Sequence, residues 1–525
     1  MRINKILVSA LVMALSFYSC DYLDVPPINI IQDDAIFNSE SGITSYMTTL
    51  YYDLPIEDFR YTQQGFNVSG KGQGRLPNVS GEAMCSSSDD GKIRRVNYFL
   101  KNFPAYKSNF QNTVLADAWM GEAHFIRAYC YFAMVKRYGG VPILREPQEY
   151  VGDIESLKVP RDTEKACYDF IAEDLDEAFR LLPDNEEILG KGRATKYAAL
   201  ALKSRAMLYA GSIARYGTVD LNGLVGIDKA LANDYFELAY KAVKELEKSK
   251  KFSLYRKNSD KEKNFAELFL AEDSPENIFC KYFQRNVNAH GWDVYFVPYQ
   301  YRGNGFSSNM NPTLEFVEMF EHKDGTPANF AERAKDTYFD DPSELFQNMD
   351  ARFGGSIIYP NAIFKGEPCS IQKGLIIEDG SKKENATNYE EAVYHIVGKS
   401  GSGNYSGNMT GFFMRKYLNE NMPQSEVIEN YSEQHWIEFR YAEALLNGAE
   451  AAVEMGQHLD DALLWINDIR SRADIKQLSL SDLTVDKVRH ERRIELAFEN
   501  HTYWDLRRWR IADKEIETKQ YTGLC

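Results

Sequence analysis

The sequence predicts a mainly α-helical fold with a core of paired helices and a loop-rich region of short strands between residues 280 and 420. On both sides of this region, apolar residues recur at three- and four-residue steps, which is the spacing of one face of an α-helix. Inside it, glycine, asparagine and aromatic residues are scattered, and helical periodicity is weak. The chain therefore consists of two helical parts and a less regular middle.

The strongest helical pattern spans residues 117–138. Its apolar residues, including Phe125, Tyr129 and Phe132, lie on one helix face, and Gly139 marks the helix end. Similar patterns predict helices at residues 43–52, 163–182, 194–216, 234–248, 264–270, 434–455, 460–473 and 486–500.

Small residues such as Ala198, Ala199 and Ala201 allow these helices to pack closely. Paired helices of this length resemble tetratricopeptide hairpins, although no regular repeat of that length is visible. We therefore predict a tetratricopeptide-like helical-repeat core. In the middle region, the short alternating run at residues 292–297 predicts a strand.

The composition is that of an acidic, aromatic-rich globular protein. The chain has 525 residues, and 61 basic against 77 acidic side chains give a formal charge of −16. A field of this sign repels phosphate backbones, so nucleic acid is not an expected partner. The 33 tyrosines indicate surfaces that combine a flat apolar face with a polar tip.

The first residues have the pattern of an export signal. Arg2 and Lys5 precede an apolar run that is too short to span a bilayer, and residues 1–19 are predicted to be a signal peptide. Cys20 follows directly after a small residue, which predicts lipidation at Cys20. The alternative is an ordinary secretory signal cut nearby, with Cys20 incidental. No later segment reaches the ~20 apolar residues of a membrane helix, so an acyl chain on Cys20 would be the anchor.

Catalytic and metal-binding motifs are incomplete. The last three positions of a phosphate-binding loop motif are matched by Gly398, Lys399 and Ser400. Its first glycine is missing, because Val393 occupies that position. His490 begins a zinc-protease-like helix motif whose second histidine is replaced by isoleucine. The seven cysteines are widely spaced and form no metal-like cluster. We expect no enzyme activity, no cofactor and no metal site.

Six stretches of the chain resemble, in order, the signature segments of one family. They are residues 21–27, 121–143, 193–209, 439–447, 466–473 and 490–509. The last stretch is the most specific and ends in the motif Arg507, Arg508, Trp509. Together these segments resemble the SusD/RagB family of outer-membrane glycan-binding lipoproteins, and they are spread in order along essentially the whole chain.

This resemblance implies a cell-surface, lipid-anchored protein of the outer membrane. Such a protein binds oligo- or polysaccharide and delivers it to a SusC-like TonB-dependent transporter. It also implies a SusD-like N-terminal region at 20–216, a helical connection at 217–279 and a SusD/RagB C-terminal region at 280–525. A peptide-binding, RagB-like uptake protein and a helical-repeat scaffold for protein partners remain the alternatives.

The sequence departs from the family pattern in two places. Almost nothing separates the acidic residues Asp89 and Asp90 from the helix-like segment that begins at Ile93. Family members also continue beyond the motif at residues 507–509 to a proline-rich tail, whereas this chain stops at Cys525. The resemblance therefore implies an altered binding surface and a shortened C-terminal part.

The predicted ligand site lies in residues 288–311, a glycine-rich segment of aromatic and amide side chains. Sugars bind flat aromatic rings together with side chains that meet their hydroxyl groups. The predicted ligand-binding residues are Trp292, Tyr295, Tyr299, Tyr301, Arg302 and Asn304. Trp292 is expected to be an exposed stacking platform, while the competing interpretation places about half of these rings in the core. A second candidate is the loop with Arg75, Asn78 and Asp89.

The charged residues near the C-terminus are interpreted as structural. Arg492, Glu495 and Glu499 fall on one helix face, where they can pair. Asp505 with Arg507 and Arg508 offers further ion pairs. The tryptophans on predicted helices are expected in the core; they are Trp119, Trp504 and Trp509.

Overall fold

The computed structural model describes residues 33–59, 68–70, 91–304, 306–335, 337–372, 374–376, 379–384, 398–400, 410–516 and 522–524. Cys20 and the loop with Arg75, Asn78 and Asp89 lie outside these residues. The described part is mainly helical, which confirms the predicted fold class. Within it, no helix is long and apolar enough to cross a membrane.

Eight helices form the first half of the described chain. They are α1 (Asp33–Phe37), α2 (Glu40–Tyr52), α3 (Lys92–Asn102), α4 (Thr113–Tyr138), α5 (Glu164–Leu181), α6 (Lys196–Tyr216), α7 (Ala232–Ser249) and α8 (Lys261–Leu268). Helices α4, α5, α6 and α7 pack each against the next, as in paired helical repeats. Side chains cap the starts of the first two: Asn112 accepts from the backbone N–H of Leu115, and Thr163 from that of Ala166.

The middle region contains four short helices and most of the strands. The helices are α9 (Trp292–Phe296), α10 (Leu314–Val317), α11 (Phe330–Ala334) and α12 (Ala351–Ser356). The strands of the described residues are β1 (Val68–Gly70), β2 (Asn277–Lys281), β3 (Met310–Pro312), β4 (Ile357–Ile358), β5 (Ile363–Phe364), β6 (Glu367–Pro368), β7 (Gly374–Ile376), β8 (Lys382–Glu384), β9 (Phe413–Met414) and β10 (Trp436–Arg440). They pair antiparallel as β1 with β3, β2 with β10, β4 with β9, β5 with β6 and β7 with β8.

The C-terminal part returns to helix and completes the repeat core. Its helices are α13 (Tyr441–Met455), α14 (Leu459–Arg472), α15 (Val485–Glu495), α16 (Thr502–Arg508) and α17 (Ala512–Ile516). Helix α13 packs on α7 from the first half and on α14 and α15 from its own. A β-carbon at Gly448 would lie 2.6 Å from the ring of Trp465, so only glycine permits this approach of α13 and α14. These contacts confirm the helical-repeat core.

Two predicted elements were assigned to the wrong type. The run at residues 292–297 was expected to be a strand, but Trp292–Phe296 forms helix α9. The segment before α13 was expected to be helical, but Trp436–Arg440 forms strand β10, which pairs with β2. All five residues of β10 are buried, so the strand lacks the alternation that distinguishes strand from buried helix.

The predicted core assignments of the tryptophans are confirmed. Trp119, Trp504 and Trp509 are all buried. Cys130 and Cys167 are also buried, with free thiols, and occupy helices α4 and α5 as small apolar side chains.

Glu495 of α15 and Glu499, four residues further on, belong to a buried network of ion pairs, but neither pairs with Arg492. Glu495 accepts from Arg440 at 2.7 Å, from Arg352 at 3.3 Å and from Arg472. Glu499 accepts from Arg440 at 2.7 Å and from Lys416 at 2.8 Å. The partners come from α12, β10, α14 and the segment after β9, so these two carboxylates join four separate parts of the chain.

Arg492 pairs with Asp505 at 2.8 Å and donates to the side-chain oxygen of Asn447 at 2.6 Å. The expected pairing of Arg492 with Glu495 or Glu499 is therefore wrong, because each finds a partner on another element. Arg508 pairs with Asp505 as expected, at 2.8 Å. Arg507 instead donates to the hydroxyl of Tyr503 at 3.3 Å. The contacts of Arg492 join α15 to α13 and α16, whereas those of Arg507 and Arg508 with Tyr503 and Asp505 lie within α16. All of them are structural, as the sequence interpretation predicted.

Candidate ligand-binding surface

Trp292 is a core residue, so the expectation of an exposed stacking platform is wrong. Its side chain is 4% exposed, and its indole N–H donates to the backbone oxygen of Lys416 at 3.2 Å. Its ring centre lies 4.4 Å from that of Phe296 and 5.0 Å from that of Phe59. The turn into helix α9 points the indole inward, and Phe59, far away in sequence, covers it.

Tyr301 is also buried, with 6% of its surface exposed. Its hydroxyl donates to the backbone oxygen of Glu367 at 3.2 Å, and its ring packs on Phe364 at 5.1 Å. The hairpin of β5 and β6 therefore covers this residue. Tyr301 anchors the ligand segment to that hairpin and offers no ring face to a ligand.

Tyr295 and Asn304, by contrast, reach the surface. Tyr295 is half-buried, and its hydroxyl donates to Glu429 at 2.9 Å. Burial, reinforced by the Glu429 carboxylate, raises the pKa of Tyr295, so the phenol remains neutral. Phe306, which is 47% exposed, lies with its ring centre 5.1 Å from that of Tyr295. Asn304 is exposed between these rings in sequence.

Tyr299 and Arg302 form a stacked pair. The central guanidinium carbon of Arg302 lies 3.9 Å from the ring centre of Tyr299, and Nη2 donates to the tyrosine hydroxyl at 2.8 Å. Both side chains are half-buried. Because the cation covers one face of the ring, at most the opposite face of Tyr299 can receive a ligand.

A second pair of the same kind is formed by residues of two neighbouring loops. The guanidinium carbon of Arg285 lies 4.1 Å from the ring centre of Tyr431, and Arg285 also pairs with Glu426 at 2.8 Å and Glu433 at 2.9 Å. Tyr431 is half-buried. Sequence reasoning missed this pair because its two members are far apart in the chain and neither lies in the aromatic-rich segment.

Backbone contacts join these loops into one surface. The N–H of Gly303 donates to the oxygen of Val427 at 3.1 Å, and Gln424 donates to the backbone oxygen of Arg302 at 2.9 Å. Gln300 accepts from the N–H of Ser370 and the hydroxyl of Ser400, both at 3.1 Å. Ser400, the last residue of the incomplete phosphate-loop motif, thus supports the segment that carries Tyr299 and Arg302.

Asp293 fixes helix α9 beneath this surface. Its carboxylate accepts from the N–H of Asn419 at 2.8 Å, from Ser432 at 2.7 Å and from Gln434 at 2.6 Å. Burial raises the pKa of Asp293, while these donors oppose that shift. Each of these hydrogen bonds goes to a neighbouring loop, so Asp293 fixes the position of these loops relative to helix α9.

We call this surface the loop surface. It is formed by Tyr295, Tyr299, Arg302, Asn304 and Phe306, and Arg285 and Tyr431 lie beside it. It offers aromatic rings, two planar cations and an exposed amide, the groups that match the apolar faces and hydroxyl rims of sugars. Within the described residues, no group of three or more histidine, cysteine, aspartate or glutamate side chains is arranged to hold a metal ion.

A polar cavity outside the loop surface contains buried ionisable groups, among which catalytic residues would be sought. It is lined by Glu57, Tyr129, Lys136, Arg205, Tyr209, Trp436, Ile437, Glu438, Glu499, Asn500, His501 and Trp504. Lys136 pairs with Glu57 at 3.1 Å, and Arg205 with Glu438 at 2.6 Å. Burial lowers the pKa of Lys136 to about 8, although Glu57 opposes the shift. These pairs join helix α4 to the segment after α2 and helix α6 to strand β10, and such mutual compensation of buried charges is typical of structural pairs.

The comparison with known sequences identifies the family. The sequence model of the SusD family matches residues 275–524, and a second model, described as starch-binding and associating with the outer membrane, matches residues 91–208. The chain belongs to the SusD/RagB family. A SusD-like protein of Formosa agariphila, P2, is 21% identical over 97% of this chain and 92% of its own length. A SusD-like protein of Bacteroides ovatus is 22% identical over 74% of this chain and 58% of its own length.

Solved structures show the same SusD-like fold. A SusD-like protein of Bacteroides fragilis is 26% identical, with a TM-score of 0.69, over 92% of this chain and 88% of that chain. Another from the same organism, described as a SusD-like carbohydrate binding protein, is 24% identical with a TM-score of 0.67 over 93% of this chain and 89% of that chain. The predicted helical-repeat, SusD-like architecture is thus confirmed, and the family is one described as associating with the outer membrane.

Proposed function

We propose that this protein binds oligo- or polysaccharide on the outer face of the outer membrane and passes it to a SusC-like TonB-dependent transporter. Cys20 carries the lipid anchor, and the protein catalyses no reaction. The observation that carries the proposal is the loop surface, where Tyr299, Phe306 and Tyr431 combine ring faces with stacked guanidinium groups. A relative of the same fold is described as a carbohydrate binding protein, which supports this ligand class.

The chemistry of the loop surface favours a sugar over a phosphorylated or strongly anionic ligand. Arg285 is already paired with Glu426 and Glu433, so its positive charge is balanced. What remains accessible is ring area and neutral hydrogen-bonding capacity. Such a surface binds weakly at each ring, at about 1–3 kcal/mol by analogy with stacked bases, so several rings must act together on an extended chain.

The test is a binding screen of the soluble protein, from residue 21 onward, against neutral and acidic plant and host polysaccharides by affinity electrophoresis and calorimetry. We expect measurable binding to at least one polysaccharide and none to mixed peptides. Binding to peptides alone would replace this proposal with a RagB-like uptake role. Binding to neither class would favour a protein-interaction scaffold.

A separate assay addresses catalysis. The same polysaccharides are incubated with the protein, and reducing ends are measured over hours. We expect no release of reducing sugar, because the buried carboxylates around the polar cavity are bound to arginine and lysine. Release that disappears in Glu438→Gln would instead show a glycoside hydrolase.

A further inference from the structure

Tyr295 is held in place at one end of the loop surface. A β-carbon at Gly291 would lie 2.6 Å from the ring of Tyr295, so glycine at this position lets the ring pack against the backbone. Phe306 contacts another side of the ring, with the two ring centres 5.1 Å apart. The phenol therefore has a defined position, and its hydroxyl is turned toward Glu429, which is exposed.

The direction of the hydrogen bond between Tyr295 and Glu429 determines which groups they present to a ligand. The hydroxyl of Tyr295 donates its single proton to the carboxylate at 2.9 Å. Burial and this carboxylate raise the pKa of Tyr295, so the phenol keeps that proton. A carboxylate only accepts hydrogen bonds, and a phenol oxygen whose proton is engaged also only accepts. The pair therefore presents acceptors and no donor.

Negative charge exceeds positive charge in the segment that carries Glu429. Glu426 and Glu433 pair with Arg285 at 2.8 and 2.9 Å, so two carboxylates already surround this cation. Glu429 is bonded to Tyr295 and forms no salt bridge with any side chain of the described residues. Three carboxylates and one guanidinium group leave residues 426–433 and Arg285 with an excess of negative charge.

A sugar that binds at this end must bring hydrogen-bond donors and no negative charge. The hydroxyl groups of an uncharged sugar can donate to both oxygens while a face of its ring contacts Phe306. The carboxylate of a uronic acid or the sulfate of a sulfated sugar would bring only acceptors and like charge, and it would lose hydration without gaining a donor. Arg302, the other cation of the loop surface, lies over Tyr299 and forms no salt bridge with Glu429.

We propose that Glu429 sets the ligand class of the loop surface, which admits uncharged oligo- and polysaccharides and excludes those that carry uronic acid or sulfate groups. The inference rests on the proposed function, since it names the class of glycan bound at the same site. Glu429 acts through its own charge and by engaging the proton of Tyr295. A glutamate that only positioned Tyr295 would not discriminate between glycans.

The test compares neutral polysaccharides with carboxylated forms of the same polymers. The neutral probes are amylopectin, galactomannan and xyloglucan, and part of their primary hydroxyl groups is converted to carboxylates by TEMPO oxidation. Polygalacturonate and chondroitin sulfate are added as naturally acidic probes. Affinities of the soluble protein are measured by calorimetry at about 20 mM and about 300 mM salt, because exposed charges are screened far more strongly at the higher concentration.

Glu429→Gln is the informative variant. It keeps a side-chain oxygen that accepts from Tyr295 and removes the charge. The matched control is Glu187→Gln, which changes an exposed glutamate in the segment after α5. Both positions are exposed, so the melting temperatures of the two variants should equal that of the wild type.

We expect the wild type to bind at least one neutral probe, and to bind the oxidised form of that probe about tenfold more weakly at the lower salt concentration. The ratio should shrink at the higher salt concentration. Glu429→Gln should keep the affinity for the neutral probe within about twofold and reduce the ratio to about threefold or less. The control should discriminate as the wild type does.

Two results would overturn the inference and leave glycan binding intact. One is binding of polygalacturonate, chondroitin sulfate or an oxidised probe as tightly as the neutral probes. The other is full discrimination by Glu429→Gln, because the charge of Glu429 would then play no part. If no polysaccharide binds in any form, the glycan-binding function itself fails, and the inference fails with it.

Discussion

The guanidinium carbon of Arg302 lies over the ring of Tyr299, 3.9 Å from its centre, and Nη2 of the same group donates to the tyrosine hydroxyl at 2.8 Å. Each side chain thereby fixes the orientation of the other. A sugar that reaches this pair meets a preorganised ring edge and cation, so the two residues should act as one binding unit.

A double-mutant cycle on this pair tests the loop surface. Tyr299→Ala and Arg302→Ala should each weaken glycan binding by about tenfold, or ~1.4 kcal/mol. The double variant should lose little more than either single variant, because each change already removes the unit. Calorimetry with the glycan found in the screen gives the affinities. Tyr338→Ala, an exposed ring elsewhere, is the control, and unchanged affinity in both single variants would exclude this pair from the site.

Trp292→Ala should destabilise the fold and leave the ligand affinity of the folded protein unchanged. Removing a fully packed tryptophan costs about 3–5 kcal/mol of the free energy of unfolding. The loss of the hydrogen bond to Lys416 adds to this cost. Chemical denaturation measures the stability, and calorimetry at a temperature where the variant is folded measures the affinity. A variant of normal stability with weakened binding would restore Trp292 to the ligand site.

Glu495→Gln should be strongly destabilising. The change removes the charge that compensates Arg352, Arg440 and Arg472, and breaking a buried ion pair costs about 3–5 kcal/mol. Glu177→Gln, which breaks an exposed pair with Arg180, is the control and should change stability by about 0.5 kcal/mol or less. Similar denaturation midpoints for the two variants would show that the network contributes nothing specific.

Acid should destabilise the protein partly through His435. Burial lowers the pKa of His435 to about 4, whereas an unfolded histidine has a pKa near 6.5. Because the unfolded chain binds the proton first, stability is fully present above about pH 6.5 and falls as the pH drops toward 4. Between pH 7 and pH 5 this one group should cost on the order of 2 kcal/mol. His435→Gln should flatten that part of the pH profile in denaturation experiments, and an unchanged profile would contradict the assignment.

Cys20→Ala should release the protein from the outer membrane. No helix of the described residues could hold it there, and the predicted acyl chain is the expected anchor. Fractionation and globomycin-sensitive labelling with radioactive palmitate measure the outcome. If the variant stays in the membrane fraction after a high-salt wash, another anchor exists.

The helices could be predicted well from the sequence, whereas the loops could not. Helix α4 was predicted closely because its apolar periodicity and the glycine after it are local signals. Strand β10 was not, since a strand buried on both faces has the same apolar continuity as a buried helix. Its assignment depends on pairing with β2, which lies far away in the sequence.

The predicted ligand site also depends partly on local and partly on distant features of the chain. The density of aromatic residues selected a segment in which Tyr295, Tyr299 and Asn304 reach the surface, but it could not show which rings face inward. Phe59 covers Trp292, and the hairpin of β5 and β6 covers Tyr301, so both side chains belong to the core. Both covering segments are distant in the sequence from the residues that they cover. Tyr431 was missed because its partner Arg285 comes from another loop.

The buried network also makes the junction between the helical halves depend on the last helices of the chain. Asp350 and Glu276 supply part of the negative charge around Arg352, Arg440 and Arg472, and Glu495 and Glu499 supply the rest. A chain without these two carboxylates would have to bury cations that are only partly compensated. A truncation before α15 should therefore destabilise α12, β10 and α14, which carry the cations, as well as remove the helices that it deletes.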